Sequence, residues 1–246
     1  MTAVRREVLV TAARDLGGFS TADAIVVVDV IRATTTAATA VAMGRPCYPV
    51  GSADAAFSLA RRLREPLLAG EVGGAMPDGF DLNNSPAGIA RRDDVDRPLV
   101  LLSTSGTRLL ASALPTETVF AACLRNWSAE AERLIACDCL RVALVGAATR
   151  GEFRDEDQLC CAWIATRLLD HGFAPADAAT AALVERWIDA PAARIADGHS
   201  ADYLRRSGQL DDLDFVLEHV DDLELTLSFD GLEVIATPAG FVEHAA

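Results

Sequence analysis

Residues 26–44 read VVVDVIRATTTAATAVAMG, an apolar run followed by an aspartate, an arginine and three threonines. Asp29 falls at the end of the run, and Arg32, Thr34, Thr35 and Thr36 fall at the start of a helix-like stretch. A carboxylate there can bind a cation or move a proton. A guanidinium and hydroxyls beside free helix N-terminal amides can grip an anion. Capping by one threonine is the plainer reading, but it leaves Asp29, Arg32 and two hydroxyls without a task. Residues 101–110, LLSTSGTRLL, repeat the plan. Ser103, Thr104, Ser105 and Thr107 supply hydroxyls, Gly106 lets backbone approach a ligand closely, and Arg108 stands at the helix start. The repetition points to two anion-binding exits on one pocket, with Arg32 and Arg108 as its cationic grip.

Two further stretches carry chemistry. Residues 70–90, GEVGGAMPDGFDLNNSPAGIA, crowd Glu71, Asp81, Asn83 and Asn84 into one loop. Ser85 reads there as a helix cap with Pro86 as the first helical residue. Residues 145–164, VGAATRGEFRDEDQLCCAWI, place Asp155, Glu156 and Asp157 before an apolar helix, with Arg150 and Arg154 nearby. Acidic residues in a first turn commonly complement the helix dipole. Three together at a strand-to-helix exit also suit Mg²⁺, a hard cation that takes carboxylate oxygens and water. Asn126 follows another apolar run and reads as a helix cap.

These residues need elements to hold them. Strand-length apolar runs occupy 24–30, 47–50, 67–70, 98–103, 118–123 and 140–146, and helix-period segments occupy 33–43, 53–63, 107–113, 128–137 and 156–171. Continuous apolar strands separated by helices predict an α/β fold with a mainly parallel sheet covered on both faces. Ligands of such sheets sit at the carboxyl ends of the strands, where all four motifs lie. After Gly172 the pattern predicts helices at 175–188, 200–207 and 211–219, then a hairpin of strands 224–229 and 232–236 around Asp230-Gly231. Residues 189–198 read as a loop. No long linker divides the chain, so 1–246 is expected to be one domain, with a candidate division into 1–120 and 121–246.

Composition removes several alternatives. All 22 basic residues are arginine, which excludes a Walker A lysine and Schiff-base chemistry. The net charge of −14 disfavours nucleic acid and anionic lipid as partners, so an anionic substrate needs a locally positive pocket. No apolar run reaches the roughly 18 residues of a membrane span. The first residues lack the basic-then-apolar layout of a secretory signal, and a cytoplasmic location is expected. The six cysteines form no CxxC pair and read as reduced, buried, small apolar residues. His171, His199, His219 and His244 are scattered and receive no catalytic role. A homo-oligomer is left open.

The stretches VVVDVIRATTTAATAVAMG, GEVGGAMPDGFDLNNSPAGIA, STSGTR and FRDEDQLCCA occur in the order found in the 2-phosphosulfolactate phosphatase family, which the chain resembles over about 24–170. The resemblance implies a three-layer α/β/α fold with two related halves and Mg²⁺-dependent hydrolysis of a phosphate monoester, a step of coenzyme M biosynthesis. The partner implied is a small phosphorylated organic acid. Ser105 stands where the family has asparagine, Val72 where it has arginine after Gly-Glu, and Trp163 where it has glycine. These departures bear on which acid the pocket accepts. On this reading Asp29, Glu71, Glu156 and Asp157 are the metal-ligand candidates, and Asp29, Arg32 and Arg108 the catalytic ones. Thr34, Thr35, Thr36, Asn84, Ser85, Ser105, Gly106 and Thr107 would orient the phosphate. Water attack is preferred to a covalent aspartyl route. The aspartyl motif of haloacid dehalogenase-type phosphatases needs a second aspartate two residues on, where Ile31 stands. A cysteine hydrolase with an Asp-Lys-Cys triad is disfavoured by the missing lysine. A diverged, non-catalytic anion-binding protein is the alternative.

Overall fold

The computed structural model describes residues 5–239, so His244 lies outside the described residues. In chain order the strands are β1 (Arg6–Ala13), β2 (Ala24–Val28), β3 (Cys47–Val50), β4 (Leu67–Gly70), β5 (Leu99–Leu102), β6 (Val119–Ala122), β7 (Arg141–Thr149), β8 (Glu152–Phe153), β9 (Phe173–Pro175), β10 (Leu225–Phe229) and β11 (Val234–Pro238). The helices are α1 (Ala33–Ala42), α2 (Ala53–Ala60), α3 (Pro86–Ala90), α4 (Gly106–Leu110), α5 (Trp127–Ala136), α6 (Asp155–Asp170), α7 (Ala178–Trp187), α8 (His199–Arg206) and α9 (Leu210–Glu218). The chain is α/β, with a large, mostly parallel mixed sheet ordered β4-β5-β3-β11-β10-β6-β2-β7-β1-β9, and β8 beside β7.

Two parallel blocks make up this sheet. β4, β5 and β3 form one, and β6, β2, β7, β1 and β9 form the other. The β10–β11 hairpin lies between them, with β10 antiparallel to β6 and β11 antiparallel to β3. β2 shows why its sequence is continuously apolar. Ala24, Val26 and Val28 join a cluster with Leu134, Leu159 and Leu168 of the α5–α6 face. Ile25 and Val27 join another with Ala37, Ala38 and Leu109 of α1 and α4. Burying both faces stabilises the strand by roughly 1.5–3 kcal/mol per large aliphatic side chain.

Several elements differ from the sequence expectation. β1 is a full strand whose buried Val8 and Val10 alternate with half-buried neighbours, a short period-2 pattern next to the basic start. The segment read as one helix over 175–188 divides at a cap. β9 ends at Pro175, and the Asp177 carboxylate accepts the Thr180 amide at 2.7 Å to begin α7. Within 189–198 a 3₁₀ turn spans Ala192–Asp197. Cys137 and Cys139 are not reduced but disulfide-bonded, because the extended Cys137 backbone after α5 brings their Cα atoms to 5.3 Å. Cys47, Cys123, Cys160 and Cys161 are free and buried, as expected. Burial pushes the Cys123 thiol up to about 11, which leaves it unreactive. Among the described residues no helix is long and apolar enough to cross a membrane.

Candidate active site

The strand exits are held by hydrogen bonds between backbone groups and neighbouring side chains. At the end of β2 the Asp29 amide donates to Thr34 Oγ1 at 3.0 Å, and that hydroxyl donates back to the Asp29 carbonyl at 2.8 Å. The Val30 amide donates to Asp157 Oδ1 at 2.8 Å, and Thr35 donates to the Val30 carbonyl at 2.7 Å. Thr36 donates to Arg32 O and to Asn84 Oδ1, at 3.1 and 2.8 Å. The β5 exit repeats the device: Ser103 N donates to Thr107 Oγ1 at 2.6 Å, and Thr107 donates to Val50 O at 2.8 Å. At the β6 exit Asn126 Oδ1 accepts the Cys123 amide at 2.9 Å, so Asn126 holds the strand end rather than capping α5.

A cleft of about 310 Å³ opens above these exits. Asp29, Arg32, Glu71, Asn84 and Ser105 line it, together with Thr104, Thr149, Arg150, Glu152, Arg154 and residues of α8. Asp29 is buried, and its carboxylate accepts backbone amides of Ala33, at 3.4 Å, and of Gly106. Burial pushes its carboxyl up to about 6, the Ala33 amide opposes the rise and the Glu71 charge adds to it. Gly106 has to be glycine: a Cβ there would lie 2.6 Å from Asp29 Cβ and 2.8 Å from Ala33 Cβ.

Glu156 and Asp157 lie buried behind the cleft within electrostatic reach of Asp29. Burial pushes Glu156 up to about 7, against a Ser200 hydrogen bond and with help from Asp29. Asp157 is raised well above the usual carboxylate range by burial and then by the Asp29 and Glu156 charges. Glu156 Oε2 is buried with no hydrogen-bond partner. Glu71 braces two loops, accepting Thr104 N and Thr104 Oγ1 at 2.6 and 2.7 Å and Gly74 N at 2.6 Å.

The cationic grip differs from the one expected. Arg32 is buried at the cleft, with Nη1 bonded to Gln209 and, at 2.6 Å, to Asp212 of α9. Arg108 is exposed and is not among the residues lining the cleft. Gly106 faces Asp29, and two residues later a helix has turned about 200°, which sends Arg108 to solvent. Thr34, Thr35, Thr36 and Thr107 also stay out of the cleft wall, because protein acceptors take their hydroxyls. Ser85 caps α3 by accepting the Gly88 amide at 2.9 Å and donates to Asp212 Oδ1 at 2.5 Å, so it too faces away from the cleft lining. Asn84 keeps its place there, with Oδ1 fixed by Thr36. The sequence pattern predicts the helix over 200–207 but not its place in the cleft, to which α8 contributes Ser200, Tyr203, Leu204 and Arg206. Its docking is a backbone contact: Tyr203 donates to Gly74 O at 2.8 Å, and a Cβ on Gly74 would lie 2.6 Å from Tyr203 Cζ.

Carboxylates and cations gathered at the carboxyl ends of parallel strands, open to a polar cleft, define an α/β enzyme site for an anionic substrate. The model of the 2-phosphosulpholactate phosphatase family matches residues 12–225, and the chain belongs to that family. A protein of Carboxydothermus hydrogenoformans named "Probable 2-phosphosulfolactate phosphatase" is 41% identical over 135 residues, 54% of this chain and 56% of that protein. Proteins of the same name from Parasynechococcus marenigrum and Synechococcus sp. strain WH7803 are 33% and 32% identical over 229 and 228 residues. Those alignments span 87% and 90% of this chain and 88% and 89% of the relatives.

Proposed function

We propose that the protein is a Mg²⁺-dependent phosphatase that hydrolyses the phosphate monoester of a small acidic hydroxy acid, 2-phosphosulfolactate or a close analogue. The observation that carries this reading is the group Asp29, Glu156 and Asp157, buried together at adjoining strand exits, where the Asp29 charge adds to the rise that burial causes in Glu156 and Asp157. Like charges held this close favour protons or a cation between them. The donors fit Mg²⁺: they are carboxylate oxygens, and Glu156 Oε2 is buried without a partner. Among the described residues no group of three or more His, Cys, Asp or Glu is placed to hold a metal ion, so Mg²⁺ would have to bind through one or two carboxylates together with water and the substrate phosphate. Asp29 with Glu156 or Asp157 would hold it, and when bound it neutralises charge developing on the phosphoryl oxygens.

The chain's own groups supply the rest. Asp29, pushed up to about 6 by burial and fixed by two amides, would serve either as a ligand of the ion or as the base that accepts a proton from an attacking water. Arg32 presents positive charge to the cleft from a side chain immobilised by Asp212 and Gln209. Asn84, with its carbonyl engaged by Thr36, has its amide nitrogen available for an anion. The same reading takes the two parallel blocks as the two related halves of a three-layer α/β/α fold in a cytoplasmic enzyme.

Phosphate release from 2-phosphosulfolactate and related phospho-acids, with Mg²⁺ and then with EDTA, tests the proposal. Release that EDTA suppresses is expected. Binding without any release would instead mark a non-catalytic anion-binding protein.

A further inference from the structure

Seven charged side chains line the cleft, and most are already matched. Arg32 pairs with Asp212 at 2.6 Å, and Arg154 pairs with Glu152 at 2.7 Å. Arg150 and Arg206 also line the cleft, and among the described residues neither has an ion-pair or hydrogen-bond partner. They come from separate elements. Arg206 ends α8. Arg150 occupies the two-residue turn between β7 and β8, where Thr149 pairs with Glu152. Its φ is +54°, followed by Gly151 at +83°, so both turn residues are left-handed, as tight hairpins favour. Arginine is an unusual occupant of that conformation, and a residue kept in a sparsely populated backbone region points to a task for its side chain.

We propose that Arg150 and Arg206 form a second anion subsite, which reads the acidic group that the substrate carries besides its phosphate. The assignment rests on the phosphatase reading above. On a chain of net charge −14, with Asp29, Glu71 and Glu152 in the same cleft, an additional carboxylate or sulfonate is repelled unless cations meet it. A guanidinium suits either group, since its planar donors can bond two oxygens of one acid. The favoured substrate class is therefore a phosphate monoester with at least one further strong acid, and simple alkyl or aryl phosphates lack the group that this subsite reads.

The test is steady-state kinetics of Arg150→Ala, Arg206→Ala and the double variant. The substrates are 2-phosphosulfolactate, 2-phosphomalate and 4-nitrophenyl phosphate. Loss of one charge-assisted contact should raise KM for the two phospho-acids about tenfold per arginine, with kcat within about twofold. Activity on 4-nitrophenyl phosphate should fall far less than activity on the phospho-acids, and Arg150→Lys should retain part of the selectivity. Comparing the sulfonate with the carboxylate substrate shows which acid the pair prefers. Equal losses on all three substrates would mean that the arginines hold the phosphate, and would overturn the proposal. So would unchanged KM values for the acids. Calorimetric titration with 2-phosphosulfolactate in EDTA separates the two readings. If the wild type releases no phosphate but affinity drops in the variants, the subsite stands and the phosphatase reading falls. If the wild type turns over and the variants match it throughout, the subsite alone falls. No turnover and no binding would remove both.

Discussion

Replacing Gly106 by alanine perturbs the site with a single methyl group. The added Cβ would sit 2.6 Å from Asp29 Cβ and 2.8 Å from Ala33 Cβ, and closer still to the Asp29 carboxylate. Ordinary carbon contacts begin near 3.5 Å, so Asp29 or the start of α4 must move by nearly 1 Å. Neither can yield freely, because Asp29 is tied through its main chain to Thr34 and Thr107 ties α4 to Ser103 and Val50. A catalytic group displaced by about 1 Å can lose about a hundredfold in rate, and overpacking of a filled site costs about 1–3 kcal/mol. The assay is Mg²⁺-supported phosphate release beside a urea unfolding curve. Gly51→Ala serves as the control, since its Cβ would meet only Ala111 Cβ at 3.6 Å. Expected is a fall of about two orders of magnitude in kcat for Gly106→Ala with a folded protein, and near-normal kcat for Gly51→Ala. A Gly106→Ala enzyme within threefold of wild type would show that Asp29 need not meet α4, and the site as described would be wrong.

Two other perturbations bear on the same reasoning. Asp29 and Glu156 titrate near 6 and 7 in the folded chain but near 3.8 and 4.5 when unperturbed, so the native state binds protons that the unfolded chain has released. Their contribution is full below about pH 4 and is lost as pH rises through 7, roughly 3 kcal/mol from either group alone. Urea midpoints in EDTA should therefore fall from pH 5 to pH 8, and Mg²⁺ at pH 8 should recover the loss; a midpoint that rises over this range would contradict the buried carboxylate group. Arg108→Ala should leave kcat/KM within about twofold of wild type because its side chain points to solvent, whereas a large loss in the phosphate-release assay would bring Arg108 back to the cleft.

How much of this could be read in the sequence depends on the range of the interaction. The exits of β2 and β5 are visible because polar residues interrupt apolar runs, and Asp29, Arg32, Asn84 and Ser105 do reach the cleft. The tasks of Thr34, Thr35, Thr36 and Thr107 are not visible, since a hydroxyl that braces a turn and one that meets a phosphate occupy the same place in a sequence. Arg32 and Arg108 look equivalent on paper. Arg32 precedes its helix, while Arg108 lies two residues past the glycine that faces Asp29, and the helical rotation separates them. The helix over 200–207 is legible from its period, but its seat on Gly74, 129 residues away, is set by tertiary packing. β1 carries only three large apolar residues, Val8, Leu9 and Val10, between charged and small ones, too short a run to stand against its basic start.

The last third of the chain completes the site through two connections. Asp212 of α9 is one: Oδ2 holds Arg32, while Oδ1 accepts Ser85 at 2.5 Å and the Ala87 amide at 3.2 Å. One buried carboxylate thereby ties the exit of β2, the start of α3 and α9 into a single arrangement. A buried ion pair of this kind is weak evidence of stability, but removing one partner strands the other charge, so it discriminates strongly against other placements of α9. The second connection is the hairpin that separates the two parallel blocks of the sheet. Arg125 bonds Thr39 of α1 and pairs with Asp222, just before β10, at 2.9 and 2.7 Å. The Leu227 amide donates to the buried Glu130 of α5. The segment that inserts between the blocks is therefore fastened to α1 and α5, the helices that leave β2 and β6. Displacing the hairpin would disturb the helix that begins beside Asp29, so the geometry of the carboxylates depends on residues more than 190 positions away.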